Sequence, residues 1–133
     1  MRRIKWALAA VGPLLCLALC ACGLFGTRPF AQSAVQGLEK VVIQRMSTQG
    51  LAEFTDEKSL SELSAFLENL TVYGQTDPDG SDPMLIFVLY WRDGTVQTLL
   101  TAGETLEIDG ACYRAGAGDC RALNALGWSL LFP

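Results

Sequence analysis

The 133-residue chain predicts an α+β domain: an antiparallel sheet of five to six strands with two helices, most simply a two-layer sandwich. Three observations carry that expectation. The run 84–91, Met-Leu-Ile-Phe-Val-Leu-Tyr-Trp, is strongly β-forming, and two Asp-Gly dipeptides, at 93–94 and 109–110, each sit between β-prone segments. Leucines at 60, 63, 67 and 70, joined by Phe66, repeat at helical spacing.

The elements follow in order. Residues 38–46 alternate as a strand with Val41 and Ile43 on one side and Val42 and Met46 on the other, and Ser47-Thr48-Gln49-Gly50 ends it. Thr55-Asp56-Glu57 marks a helix start, a hydroxyl N-cap followed by two carboxylates where the helix dipole favours them. The leucine stripe then faces a core while Ser61, Glu62, Ser64, Glu68 and Asn69 lie off it. Residues 70–74 form a short strand, and 75–83, with two prolines, a polar loop.

A two-residue turn at Asp93-Gly94 pairs 84–91 with 95–101. That register places Leu85, Phe87, Leu89, Trp91, Val96, Thr98 and Leu100 on the core face. The other face carries Ile86, Val88, Tyr90, Arg92, Thr95, Gln97, Leu99 and Thr101. Asp109-Gly110 repeats the device, with Leu106, Ile108, Ala111 and Tyr113 opposite Glu107 and Cys112. Asp119 caps a last helix with Ala122, Leu123, Leu126 and Leu130 on one side. Gly127 interrupts it, as a close-packing point or an early stop.

Charge divides the chain. Residues 1–21 hold three of the ten basic side chains and none of the fourteen acidic ones, so residues 22–133 carry a net charge of −7. A basic head (Arg2, Arg3, Lys5), an apolar body from Trp6 and small residues before a cysteine make a secretory signal, which places the rest outside the membrane. Leu19-Cys20-Ala21-Cys22-Gly23 resembles the lipobox of bacterial lipoproteins. That resemblance implies cleavage after Ala21 and lipidation of Cys22; Cys20 is the poorer choice because Leu19 would precede it. An uncleaved anchor and plain secretion are the alternatives; for the anchor, residues 6–27 are uncharged, although Gly12-Pro13 weakens a continuous helix. Residues 22–36 read as the lipidated cysteine and a tether, on which Phe25 and Phe30 are candidates for docking, and 37–133 as the domain. An acidic domain disfavours nucleic acid as a partner and leaves lipid, rather than a basic patch, to hold the membrane.

The chain has no histidine, which removes imidazole acid–base catalysis, His-paired nucleophiles and His-ligated metals. No phosphate loop or nucleophile elbow appears, so the reading is non-enzymatic and without a cofactor. With Cys16 and Cys20 leaving and Cys22 lipidated, Cys112 and Cys120 remain, and an exported pair invites a disulfide; structural thiols and a redox pair stay open. Asp77-Pro78-Asp79-Gly80-Ser81-Asp82 has hard-oxygen chemistry but lacks the later Glu of a calcium loop, and reads as a solvated turn. Tyr90, Arg92 and Gln97 form the candidate partner contact.

Segments 40–44, 55–70, 90–96 and 108–113 resemble the small domains of unknown function in Gram-positive bacterial lipoproteins, whose likeness brings no assigned chemistry. The expected function is a non-catalytic, membrane-tethered module that binds a protein or peptide, the alternative a small-ligand sensor or carrier.

Overall fold

The computed structural model describes residues 26–78, 80–116 and 118–133. Residues 1–25, with the expected signal segment, Cys16, Cys20, Cys22 and Phe25, lie outside them. In chain order the elements are α1 (Ala31–Gln36), β1 (Leu38–Arg45), β2 (Leu51–Phe54), α2 (Glu57–Asn69), β3 (Val72–Gln75), β4 (Leu85–Trp91), β5 (Val96–Ala102), β6 (Thr105–Ile108), β7 (Ala111–Ala115) and α3 (Asp119–Leu131). The class is α+β. All pairings are antiparallel, in a seven-stranded sheet of order β2-β1-β4-β5-β6-β7-β3.

Burial in β4 alternates without a break: Leu85, Phe87, Leu89 and Trp91 are buried, and Ile86, Val88 and Tyr90 half-buried. An antiparallel sheet covered on one face produces this pattern. The cover is α2, through Leu60, Leu63 and Leu67, and α3, through Cys120, Leu123 and Gly127. A Cβ at Gly127 would stand 2.6 Å from Leu85 Cδ1 and 2.7 Å from Phe87 Cζ, so this glycine is a close-packing point inside an unbroken helix. Both long helices therefore sit on the same side of the sheet.

Five expectations change. The sheet gains β2, because 46–50 turns the chain back and Leu51–Phe54 pairs with Val41–Gln44. The N-cap of α2 is Asp56 rather than Thr55: its Oδ2 accepts the Ser59 amide at 3.0 Å, which holds the carboxyl below its ordinary range. The N-cap of α3 is the left-handed Gly118, with Asp119 the first helical residue.

The domain boundary also moves. Segment 26–36 belongs to the fold: Thr27 pairs with Val72, Phe30 is fully buried with its ring 6.2 Å from Trp91, and α1 packs on α2. Burying a phenylalanine contributes about 1.5–3 kcal/mol, which explains why a segment without periodicity folds.

The largest correction concerns the Asp93-Gly94 hairpin. Tyr90 pairs with Val96, and the Trp91 amide donates to the Thr95 carbonyl at 3.0 Å, so Arg92-Asp93-Gly94 is a three-residue turn. Its last residue takes the left-handed conformation (Gly94 φ 91°), as such turns require. One extra loop residue shifts the register by one and exchanges the two faces of β5. Gln97, Leu99 and Thr101 join the core face, and Thr98 and Leu100 leave it.

Candidate interaction site

With α2 and α3 on one side, the other face of the sheet presents half-buried Val42, Ile86, Val88, Tyr90 and Leu100, and exposed Val96. These residues stand in cross-strand rows: Val42 beside Val88, Ile86 beside Leu100, Tyr90 beside Val96. Lys40, opposite Tyr90 in the register, lays its ammonium 4.3 Å from the ring centre and pairs with Glu53 at 3.5 Å. A β-bulge at Leu38/Lys40 sets this phase, letting Leu38 and Val41 both face the core while Lys40 faces out.

The two edges of the sheet differ. On the outer side of β3, Thr27 and Val72 exchange two backbone hydrogen bonds of 2.8 Å. β2 is the other edge, and Leu51 on it is 70% exposed. The Arg45 amide donates to the Gly50 carbonyl at 2.8 Å, and the antiparallel alternation that follows aims the Leu51 and Glu53 backbone groups away from β1.

The predicted contact residues do not share one surface. Tyr90 lies on the outer face. Gln97, assigned to that face from sequence, lies on the opposite one and accepts the Trp91 indole N–H at 2.8 Å. Arg92 sits in the turn, its amide bonded to the Gly37 carbonyl at 3.0 Å and its side chain packed against Gly37. There it borders an open cleft of about 930 Å³ beside α2, with Glu39, Glu57, Ser61, Ser64 and Glu68. Next to it, the Thr95 hydroxyl and amide donate to Asp93 Oδ1 at 2.6 and 2.9 Å and hold that carboxyl below its ordinary range. Sequence reasoning missed Lys40, Leu51 and Glu53; the signal available was the short alternation 51–54 directly after a turn.

A second cleft, about 1040 Å³, lies along α3 and is bordered by Met84, Thr101, Arg121, Asn124, Ala125 and Trp128. The Thr101 hydroxyl, itself buried, donates to Asn124 Oδ1 at 2.9 Å.

Among the described residues, Cys112 and Cys120 lie on opposite sides of the sheet and are not bonded to each other. Cys120 is buried under α3 and donates to the Thr105 carbonyl at 3.6 Å. Cys112 pairs with Glu107 on the outer side, near Gln75, Thr76 and Asp77. In the acidic loop, Asp79 lies outside the described residues, and Asp77 and Asp82 border different clefts. Among the described residues no cluster of three or more His, Cys, Asp or Glu side chains is placed to hold a metal.

No family model matches the chain, and neither a curated protein nor a solved structure does.

Proposed function

We propose that the chain is a lipoprotein, anchored through lipid on Cys22 at the extracytoplasmic face of the membrane, whose domain binds an extended protein or peptide segment without catalysis. The anchor is supported by the Leu19-Cys20-Ala21-Cys22 motif behind a basic head and an apolar run. The binding role is supported by one observation above others: both long helices cover the same face of the sheet, leaving an apolar outer face that ends at the exposed edge β2. An added strand would find the outward Leu51 and Glu53 backbone groups along the edge and the exposed Leu51 side chain beside it, with Val42 one strand further in, the arrangement by which sheet edges take up extended peptides.

In-cell crosslinking from a photoreactive side chain in place of Leu51, followed by mass spectrometry, tests this reading. A partner is expected at position 51 and is expected to be lost in Glu53→Pro, which removes an outward amide that the β1 ladder does not use. Absence of any partner above background would overturn it.

The cleft along α3 favours a second reading, a small-ligand sensor or carrier. Its walls combine the Trp128 and Met84 side chains with the Asn124 amide. Thermal stabilisation of the protein by a small molecule, lost in Trp128→Ala, together with an empty crosslinking result, would select it.

A further inference from the structure

The segment 26–30 ties the N-terminal end of the described chain to one edge of the sheet. Thr27 is hydrogen-bonded to Val72 in β3, Phe30 is buried, and a Cβ at Gly26 would stand 2.6 Å from Thr71 Cγ2 and 2.9 Å from Tyr73 Cε1. Only residues 23–25 separate Gly26 from Cys22. That stretch reaches about 14 Å at full extension.

We infer that the β3 edge, with Arg28, Tyr73 and Arg114, lies against the lipid headgroup surface, and that the β2 edge is held away from it. The inference rests on the proposed lipidation of Cys22. Its argument is one of reach. Six strand spacings separate β3 from β2, about 29 Å along the sheet. A leash of half that length, fixed at the β3 edge, keeps this edge at the headgroups and excludes an inverted pose in which β2 rests there and β3 is lifted away.

Charge agrees with reach. Residues 22–133 carry a net charge of −7, yet two exposed cations stand beside the point of attachment. Arg28 adjoins Thr27, and the Arg114 guanidinium donates to the Tyr73 carbonyl at 3.1 Å. Asp119 is packed against Gly116 near Tyr73, and Glu107 stands diagonally across from Arg114 in the β6–β7 register. Headgroup phosphates fit the two arginines. The acyl chains supply the attachment, the short leash sets which edge lies at the surface, and the arginines favour the same edge. Thr27 already occupies the outward backbone groups of Val72, so this end of the β3 edge is not open to a further strand.

The test uses the full chain in membranes of a bacterial host that processes lipoproteins. A benzophenone side chain replaces Arg28, Arg114 or Leu51 in turn, palmitate incorporation is followed separately, and lipid adducts are read by mass spectrometry after irradiation. Lipid adducts are expected at 28 and 114 and only background at 51. A long Gly/Ser insertion after Gly23 is expected to reduce the first two to the level of the third. If palmitate is incorporated but adducts are absent at 28 and 114, or equally strong at 51, the orientation is wrong while the anchor stands. Without palmitate incorporation, and with Met1 retained by mass, the anchor fails and the orientation falls with it.

Discussion

The Trp91 indole N–H donates to Gln97 Oε1 at 2.8 Å, across the turn that joins β4 to β5. Trp91 is 1% exposed, so this acceptor satisfies a donor that water does not readily reach. Gln97→Leu removes the acceptor and keeps the bulk, which should cost about 1–3 kcal/mol of unfolding free energy. Urea denaturation measures it. A loss within the small range of an ordinary surface change would mean that Gln97 faces outward.

Phe30 is fully buried against Trp91. Phe30→Ala is therefore expected to lower stability by about 3–5 kcal/mol, whereas Phe132→Ala, at a residue 59% exposed, should cost much less. Parallel denaturation curves compare the two. Equal small effects would return segment 26–36 to the status of a tether.

Gly127 meets the core directly, since an added Cβ would press on Leu85 and Phe87, both fully buried. Alanine has the better helix propensity by about 1 kcal/mol, but overpacking typically costs about 1–3 kcal/mol. Because both contacts fall under 3 Å and both side chains are fully buried, Gly127→Ala should be net destabilising in a thermal melt. A raised melting temperature would show that α3 stands off the sheet.

Cys112 and Cys120 fall in different tryptic peptides, 93–114 and 115–121. Digestion of denatured, alkylated protein without reductant should yield the two peptides unlinked to each other. A single linked pair would show that a bridge forms and that β7 and the start of α3 rearrange to allow it.

Asp56 and Asp93 are held below their ordinary range, Asp56 first by the Ser59 amide and Asp93 first by the Thr95 hydroxyl. Depressed carboxylates contribute stability that is fully present above the unfolded value of about 4 and is lost as the pH falls through the lower folded value. The melting-temperature deficits of Asp56→Ala and Asp93→Ala should accordingly be largest near neutrality and shrink below about pH 4. A deficit unchanged down to pH 2 would exclude the carboxylate form as the cause.

Much of the fold was legible because local periodicity reports which side chains of one element share a face. The α2 leucine stripe, the β4 alternation and the 109–110 hairpin all stand where their patterns predicted. The candidate site was less legible. Tyr90 lies on the face its alternation predicts, but Gln97 does not, and the edge strand β2 has only four residues, so its alternation is a weak signal. The docking of 26–36 depends on a single aromatic side chain finding a place against Trp91, which no local pattern encodes.

The two Asp-Gly turns separate what the chain alone determines from what its tertiary contacts decide. Strand and helix identities, the charge division and the presence of turns at 93–94 and 109–110 follow from the residues themselves. The number of residues in each loop does not, because the same dipeptide serves both. At 109–110 both residues are left-handed (φ 50° and 88°), and Asp109 Oδ1 accepts the Thr98 amide from β5 at 2.8 Å. At 93–94 the Asp93 carboxylate is engaged by its own neighbour Thr95, and Gly94 alone takes the left-handed conformation. A backbone donor from another strand accompanies the two-residue loop, and a local donor the three-residue one. That one-residue difference sets the phase of β5 and so assigns Gln97 to the core side of the sheet.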